Sequence, residues 1–117
     1  MKINYTTADK RLTVELEADS QKALWKELAR FQEVFEEGMC GKCKCPNLRF
    51  VVRKALDERG KEYEYNELRC RKCGAKLAYG VLDDGNNGLF PKRKDAEGNY
   101  KPDNGWVKWN RETQQEE

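Results

Sequence analysis

Two Cys-x-x-Cys pairs, Cys40-Gly41-Lys42-Cys43 and Cys70-Arg71-Lys72-Cys73, are the residues of this chain whose type and spacing specify a chemistry most directly. The chain has no histidine. A two-residue gap lets a tight turn aim both sulfurs at one point, and two such turns supply the four soft ligands of a closed tetrahedral Zn2+ site. Gly74, directly after Cys73, suits a knuckle in which the chain reverses and backbone N–H groups turn toward sulfur. The first pair departs from this pattern, with Lys44 at the matching position and a fifth cysteine, Cys45, after it. Cys40 with Cys43 is still the expected pair, since Cys43 and Cys45 are separated by one residue and Cys40 and Cys45 by four. The expected ligands are Cys40, Cys43, Cys70 and Cys73, and the expected cofactor is structural Zn2+.

Other uses of the cysteines fit less well. An iron-sulfur cluster takes four cysteines too, but the spacing and the hairpin-like sequence between the pairs favour zinc. A disulfide framework favours an even cysteine count and a secretory leader, whereas Met1 is followed by polar, strand-like residues. A thioredoxin-like redox pair needs a βαβ setting. Cys45 reads as a free thiol. The chain offers no nucleophile with a partnered base, no glycine-rich phosphate loop between strand and helix, and no open metal position for water, so the expectation is that it is not an enzyme.

The elements that position the cysteines follow from periodicity. Ile3 and Tyr5, then Leu12, Val14 and Leu16, alternate around an Ala8-Asp9-Lys10 turn, which predicts a β-hairpin. Asp19-Ser20 offers an N-cap, and Ala23, Leu24, Leu28, Phe31, Val34 and Phe35 recur at helical spacing with Trp25 beside them, which predicts an amphipathic helix over 21–37, stopped by Gly38. Leu48 to Lys54 and Glu62 to Arg69 predict two strands around the turn Asp57-Glu58-Arg59-Gly60, and Ala75 to Val81 a third. Arg49, Val51 and Arg53 then face opposite to Leu48, Phe50 and Val52. The N-terminal hairpin and these strands are open to sharing one sheet.

Cys-x2-Cys, hairpin, Cys-x2-Cys-Gly, strand over residues 40–81 resembles the zinc-ribbon superfamily, and the short chain is similar to small standalone zinc-ribbon proteins of phage and prophage genomes. The resemblance implies metal ligation by the four cysteines. Members bind nucleic acid, serve transcription and replication machinery, or mediate protein contacts, so fold alone does not choose a function. The expected class is α+β in a single domain over 1–110: β-hairpin and amphipathic helix (1–38), four-Cys zinc ribbon (39–82), then a loop-rich basic aromatic segment with a closing strand (83–110). Residues 111–117 read as a disordered acidic tail.

Charge points to a partner. The net charge of +2 conceals a split. Residues 1–37 hold 6 Lys and Arg against 8 Asp and Glu, residues 38–110 hold 16 against 10, and residues 111–117 hold 1 against 3. A basic half suggests an anionic partner. Within it, cations interleave with aromatic rings on which bases of a single strand could stack. The candidate cations are Arg69, Arg71, Lys72, Lys76, Lys92, Arg93, Lys94 and Lys108; the candidate rings are Tyr79, Phe90, Tyr100, Trp106 and Trp109. Trp106 and Trp109, three apart, cannot share a face of a regular strand, so at least one is expected in the core. With mean hydropathy −1.04 and no long apolar run, a cytoplasmic protein is expected. The favoured function is binding of single-stranded nucleic acid in replication or recombination; the alternative is a protein-interaction or inhibitor module acting on nucleic-acid machinery.

Overall fold

Strict alternation of exposed and half-buried residues builds the first element of the computed structural model, which describes residues 1–83 and 85–116. β1 (Lys2–Thr6) and β2 (Thr13–Glu17) pair antiparallel with Tyr5 opposite Val14 and Ile3 opposite Leu16, so their apolar side chains share one face. Thr7 closes the hairpin, its N–H donating to Leu12 O at 2.9 Å and its carbonyl accepting from Lys10 N at 2.8 Å. Ser20 caps α1 (Gln21–Phe35) by accepting from the Ala23 amide at 3.0 Å. Leu24 is buried, and Phe31 meets Tyr5 edge-on at 5.9 Å. The helix stops two residues short of the predicted end, with Glu36 as its C-cap, its N–H still donating to Gln32 O. The Glu36 carboxylate accepts from the Tyr5 hydroxyl and from the Ala8 amide, which ties the helix terminus to the hairpin.

These elements form one compact unit, Met1–Gly38, and the rest of the chain, Met39–Glu117, forms a second. The hairpin makes its own two-stranded sheet and does not extend the second unit's sheet.

In the second unit β3 (Leu48–Leu56), β4 (Glu62–Cys70), β5 (Lys76–Val81) and β6 (Leu89–Pro91) run antiparallel in the order β3-β4-β5-β6. The β3–β4 turn is built by Asp57, whose Oδ1 accepts from the Arg59 and Lys61 amides, and by Gly60 at φ 81°. Register sets the two faces. Phe50, Leu68 and Leu77 lie across one face, with Leu68 and Leu77 buried. Arg49, Arg69 and Lys76 lie across the other, as the alternation of β3 predicts for Arg49. The fourth strand was not foreseen from the sequence. A three-residue run ending in Pro91 carries little strand signal, and proline is tolerated there because β6 is an edge strand. A turn over Pro102–Gly105, with Asp103 and Asn104 in the left-handed region at φ 54° and 57°, then leads to Trp106, and β7 (Trp109–Asn110) pairs with β8 (Gln115–Glu116).

Candidate metal centre

The four expected sulfurs converge: the Sγ atoms of Cys40, Cys43, Cys70 and Cys73 all lie within 4.8 Å of one another. Cys40 and Cys73 approach to 3.6 Å and Cys43 and Cys70 to 3.5 Å. A tetrahedral Zn2+ with bonds of about 2.3 Å needs sulfurs about 3.8 Å apart, so spacing and softness of the donor set both fit that ion. Cys45 stands outside the cluster, its sulfur accepting instead from the Asn47 amide at 3.4 Å.

The two knuckles share their turn hydrogen bonds and the amide bonds to their first sulfur. Cys40 N donates to Cys45 O at 2.9 Å, as Cys70 N does to Ala75 O; Lys44 N donates to Cys40 O at 3.0 Å, as Gly74 N does to Cys70 O at 3.1 Å. Amides two and three residues on turn in on the first sulfur of each pair, Lys42 and Cys43 toward Cys40, Lys72 and Cys73 toward Cys70. Ala75 N donates to Cys73 Sγ as well. Such donors stabilise thiolate and fix its direction. Repetition requires a left-handed residue at matching positions, and Lys44 adopts φ 64° where Gly74 adopts 78°. The irregular first pair is therefore a regular knuckle carrying a lysine where glycine is easier.

Electrostatics split the sulfurs. Burial pushes the Cys40 thiol up to about 12 against the pull of its two amide donors. Burial also opposes ionisation of Cys70, but the Cys73 and Lys72 amides and the thiols of Cys43 and Cys73 outweigh it and bring Cys70 down to about 6. A bound dication would need all four sulfurs as thiolates, so its binding would release protons.

The C-terminal segment braces this end. Trp106, 1% exposed, packs against Gly41, where any added Cβ would collide with the indole. Lys42 Nζ pairs with Asp103 at 2.6 Å, and that hydrogen bond and charge hold the Asp103 carboxyl below its usual range. Among the described residues, Trp106 Nε1 is a buried side-chain donor with no hydrogen-bond partner.

The residues expected to bind nucleic acid fall in several places. Arg69 and Lys76 share the open sheet face and contact Glu67; Arg71 and Lys72 are exposed at the tip of the second knuckle. Lys92, Lys94 and Lys108 are exposed, Lys94 Nζ standing 4.8 Å from the Tyr100 ring centroid, while Arg93 donates to Asn104 O. Tyr100 and Trp109 are 70% and 58% exposed. Phe90 is half-buried against Gly80. Tyr79 and Trp106 are buried and offer no face to a base.

Glu67 is marked by no motif in the sequence. Its carboxylate, 2% exposed, receives Arg69 at 2.8 Å, Lys76 at 3.5 Å and Arg53 at 3.6 Å. Burial works against its charge, but the Arg69 hydrogen bond and the three cations prevail and hold its pKa below the usual glutamate value. One glutamate among the three of β4 carries no motif; only the register, which sets Glu67 between Val51 and Ala78 and two residues along the same face from Arg49, Arg69 and Lys76, makes it central. Among the described residues no helix is long and apolar enough to cross a membrane. No protein-family model, no curated protein and no solved structure matches this chain.

Proposed function

We propose that this chain is a small zinc-ribbon protein that binds nucleic acid, single strands in preference to duplex, and has no catalytic role. Zn2+ is the ion we assign to the four cysteines, as a closed structural centre that stabilises a unit with a small core. The observation that carries the reading is the cross-strand row Arg49, Arg69, Lys76, with Arg53 two residues along β3 from Arg49. Neighbouring strands lie about 4.8 Å apart, so the row sets three cations on a line about 10 Å long. Like charges placed opposite one another on a sheet destabilise it. Glu67 offsets part of that repulsion, and the remaining positive charge favours an anionic partner. Tyr65, under the Arg53 guanidinium at 4.5 Å, and Trp109 add rings near the cations.

The test is fluorescence anisotropy of a labelled single-stranded oligonucleotide titrated with zinc-loaded protein at two salt concentrations, with duplex as comparison. Affinity should fall with added salt, and Arg49→Gln should flatten the salt slope by about one unit. No binding at low salt would defeat the reading.

A second reading has its own observation, in the N-terminal unit. Trp25 is 77% exposed and, with Ile3, Tyr5, Leu28, Ala29 and Gln32, lines an apolar depression on the hairpin and helix. An exposed tryptophan beside such a depression is the composition of a protein-binding hot spot. Capture of a partner that is lost with Trp25→Ala and indifferent to salt would favour it.

A further inference from the structure

The sheet face that carries the cation row also carries a cavity of about 420 Å3, lined by Arg53, Arg69, Lys76, Val107, Trp109 and Glu116. Its charge is unbalanced from within. Three cations converge on the one buried carboxylate of Glu67, which leaves two positive charges in excess. Part of that excess is met by the end of the chain, since Glu116 Oε1 lies 3.8 Å from Lys76 Nζ. Glu116 arrives together with an aromatic ring, because it is the register partner of Trp109 in the β7–β8 pair. Carboxylate and indole thus enter the same cavity on one short hairpin. Glu116 remains 55% exposed and its separation from Lys76 is long for an ion pair, the mark of a weak and displaceable contact.

Building on the nucleic-acid reading, we propose that this cavity is a nucleotide subsite in which a phosphate of a single strand sits on Arg69 and Lys76 and its base stacks on Trp109. The Glu116 carboxylate holds the phosphate's place in the free protein and is displaced on binding. Glu116 is therefore a built-in competitor, and it weakens binding by an amount set by one exposed ion pair. Such pairs contribute at most about 1 kcal/mol, which corresponds to a competition of about two- to five-fold.

The test uses the full zinc-loaded chain and a short fluorescein-labelled oligothymidylate at low salt. Glu116→Gln should tighten binding about two- to five-fold, whereas Glu112→Gln, on the same tail but not lining the cavity, should not. Trp109→Ala should weaken binding at least about five-fold, the loss of one stacked base. Both side chains are exposed, and zinc content confirms that each variant retains its fold. Salt-dependent binding by the wild type that is unchanged by Glu116→Gln or by Trp109→Ala would overturn the subsite while leaving the nucleic-acid reading intact. Absence of binding by every variant would overturn both.

Discussion

Exchanging the residues at the two left-handed knuckle positions tests whether the knuckles are equivalent. Lys44 sits at φ 64°, a conformation costing a side-chain-bearing residue about 1–2 kcal/mol. Glycine relieves that strain but brings extra unfolded-state freedom of about 0.5–1 kcal/mol. The Lys44 Nζ bond to Gly41 O is exposed and 3.3 Å long, too weak to change the balance. Lys44→Gly should therefore stabilise the metal-bound unit by about 0.5–1 kcal/mol. Gly74→Ala should cost a similar amount by conformation alone, because nothing lies within 4 Å of the added Cβ. Metal binding and folding are coupled in a unit of this kind, so both changes appear in the apparent zinc affinity. Competition against a chromophoric chelator at one pH should show Lys44→Gly about two- to five-fold tighter than wild type and Gly74→Ala weaker by a similar factor. Shifts in the same direction, or a silent Gly74→Ala, would refute the equivalence.

Three further outcomes follow from the same geometry. Metal analysis should find one zinc per chain in Cys45→Ser, and loss of tight binding when Cys40, Cys43, Cys70 or Cys73 is changed to Ser, since only those four sulfurs converge. Gly41→Ala should cost about 1–3 kcal/mol in thermal or chelator challenge because the methyl meets the Trp106 ring. The Glu67 carboxyl is held below its usual pKa, so its charge stabilises the fold above the unfolded value and that contribution drains away as pH falls through the folded one. In urea melts the gap between wild type and Glu67→Gln should accordingly be widest at neutral pH and narrow in acid; a gap constant with pH would remove Glu67 from the account. Thiolate protonation is common to both proteins and cancels in that comparison.

What the sequence disclosed depended on whether a residue acts through its neighbours along the chain or across it. The hairpin, the helix and the three long strands are local patterns, and residues such as Val14, Leu28 and Val51 mark them by period alone. The ligand set was legible for the same reason, because two residues between cysteines fix a turn. Trp106 is buried and Trp109 exposed, but Trp106 lies outside any strand, so strand period did not decide the split. The short edge strand over Leu89–Pro91 was not legible, being held by backbone pairing to β5 and not by composition. Glu67 was hidden because its cations come from three strands, and the tie from Glu36 to Tyr5 and Ala8 because those partners lie about thirty residues upstream.

The four sulfurs differ in one respect that geometry at the metal does not reveal. The first cysteine of each knuckle is buried, Cys40 fully and Cys70 at 3% exposure, whereas Cys43 and Cys73 are half-open to water. The site thus has an inner pair and an outer pair, and each close sulfur contact joins one of each. At equilibrium the four ligands contribute together, but in time they do not act alike. A chelator or an oxidant arriving from solvent would reach Cys43 and Cys73 before Cys40 and Cys70. Were a metal held there, its loss would begin at Cys43 and Cys73, and Cys40 and Cys70 would be the ligands that solvent reaches last.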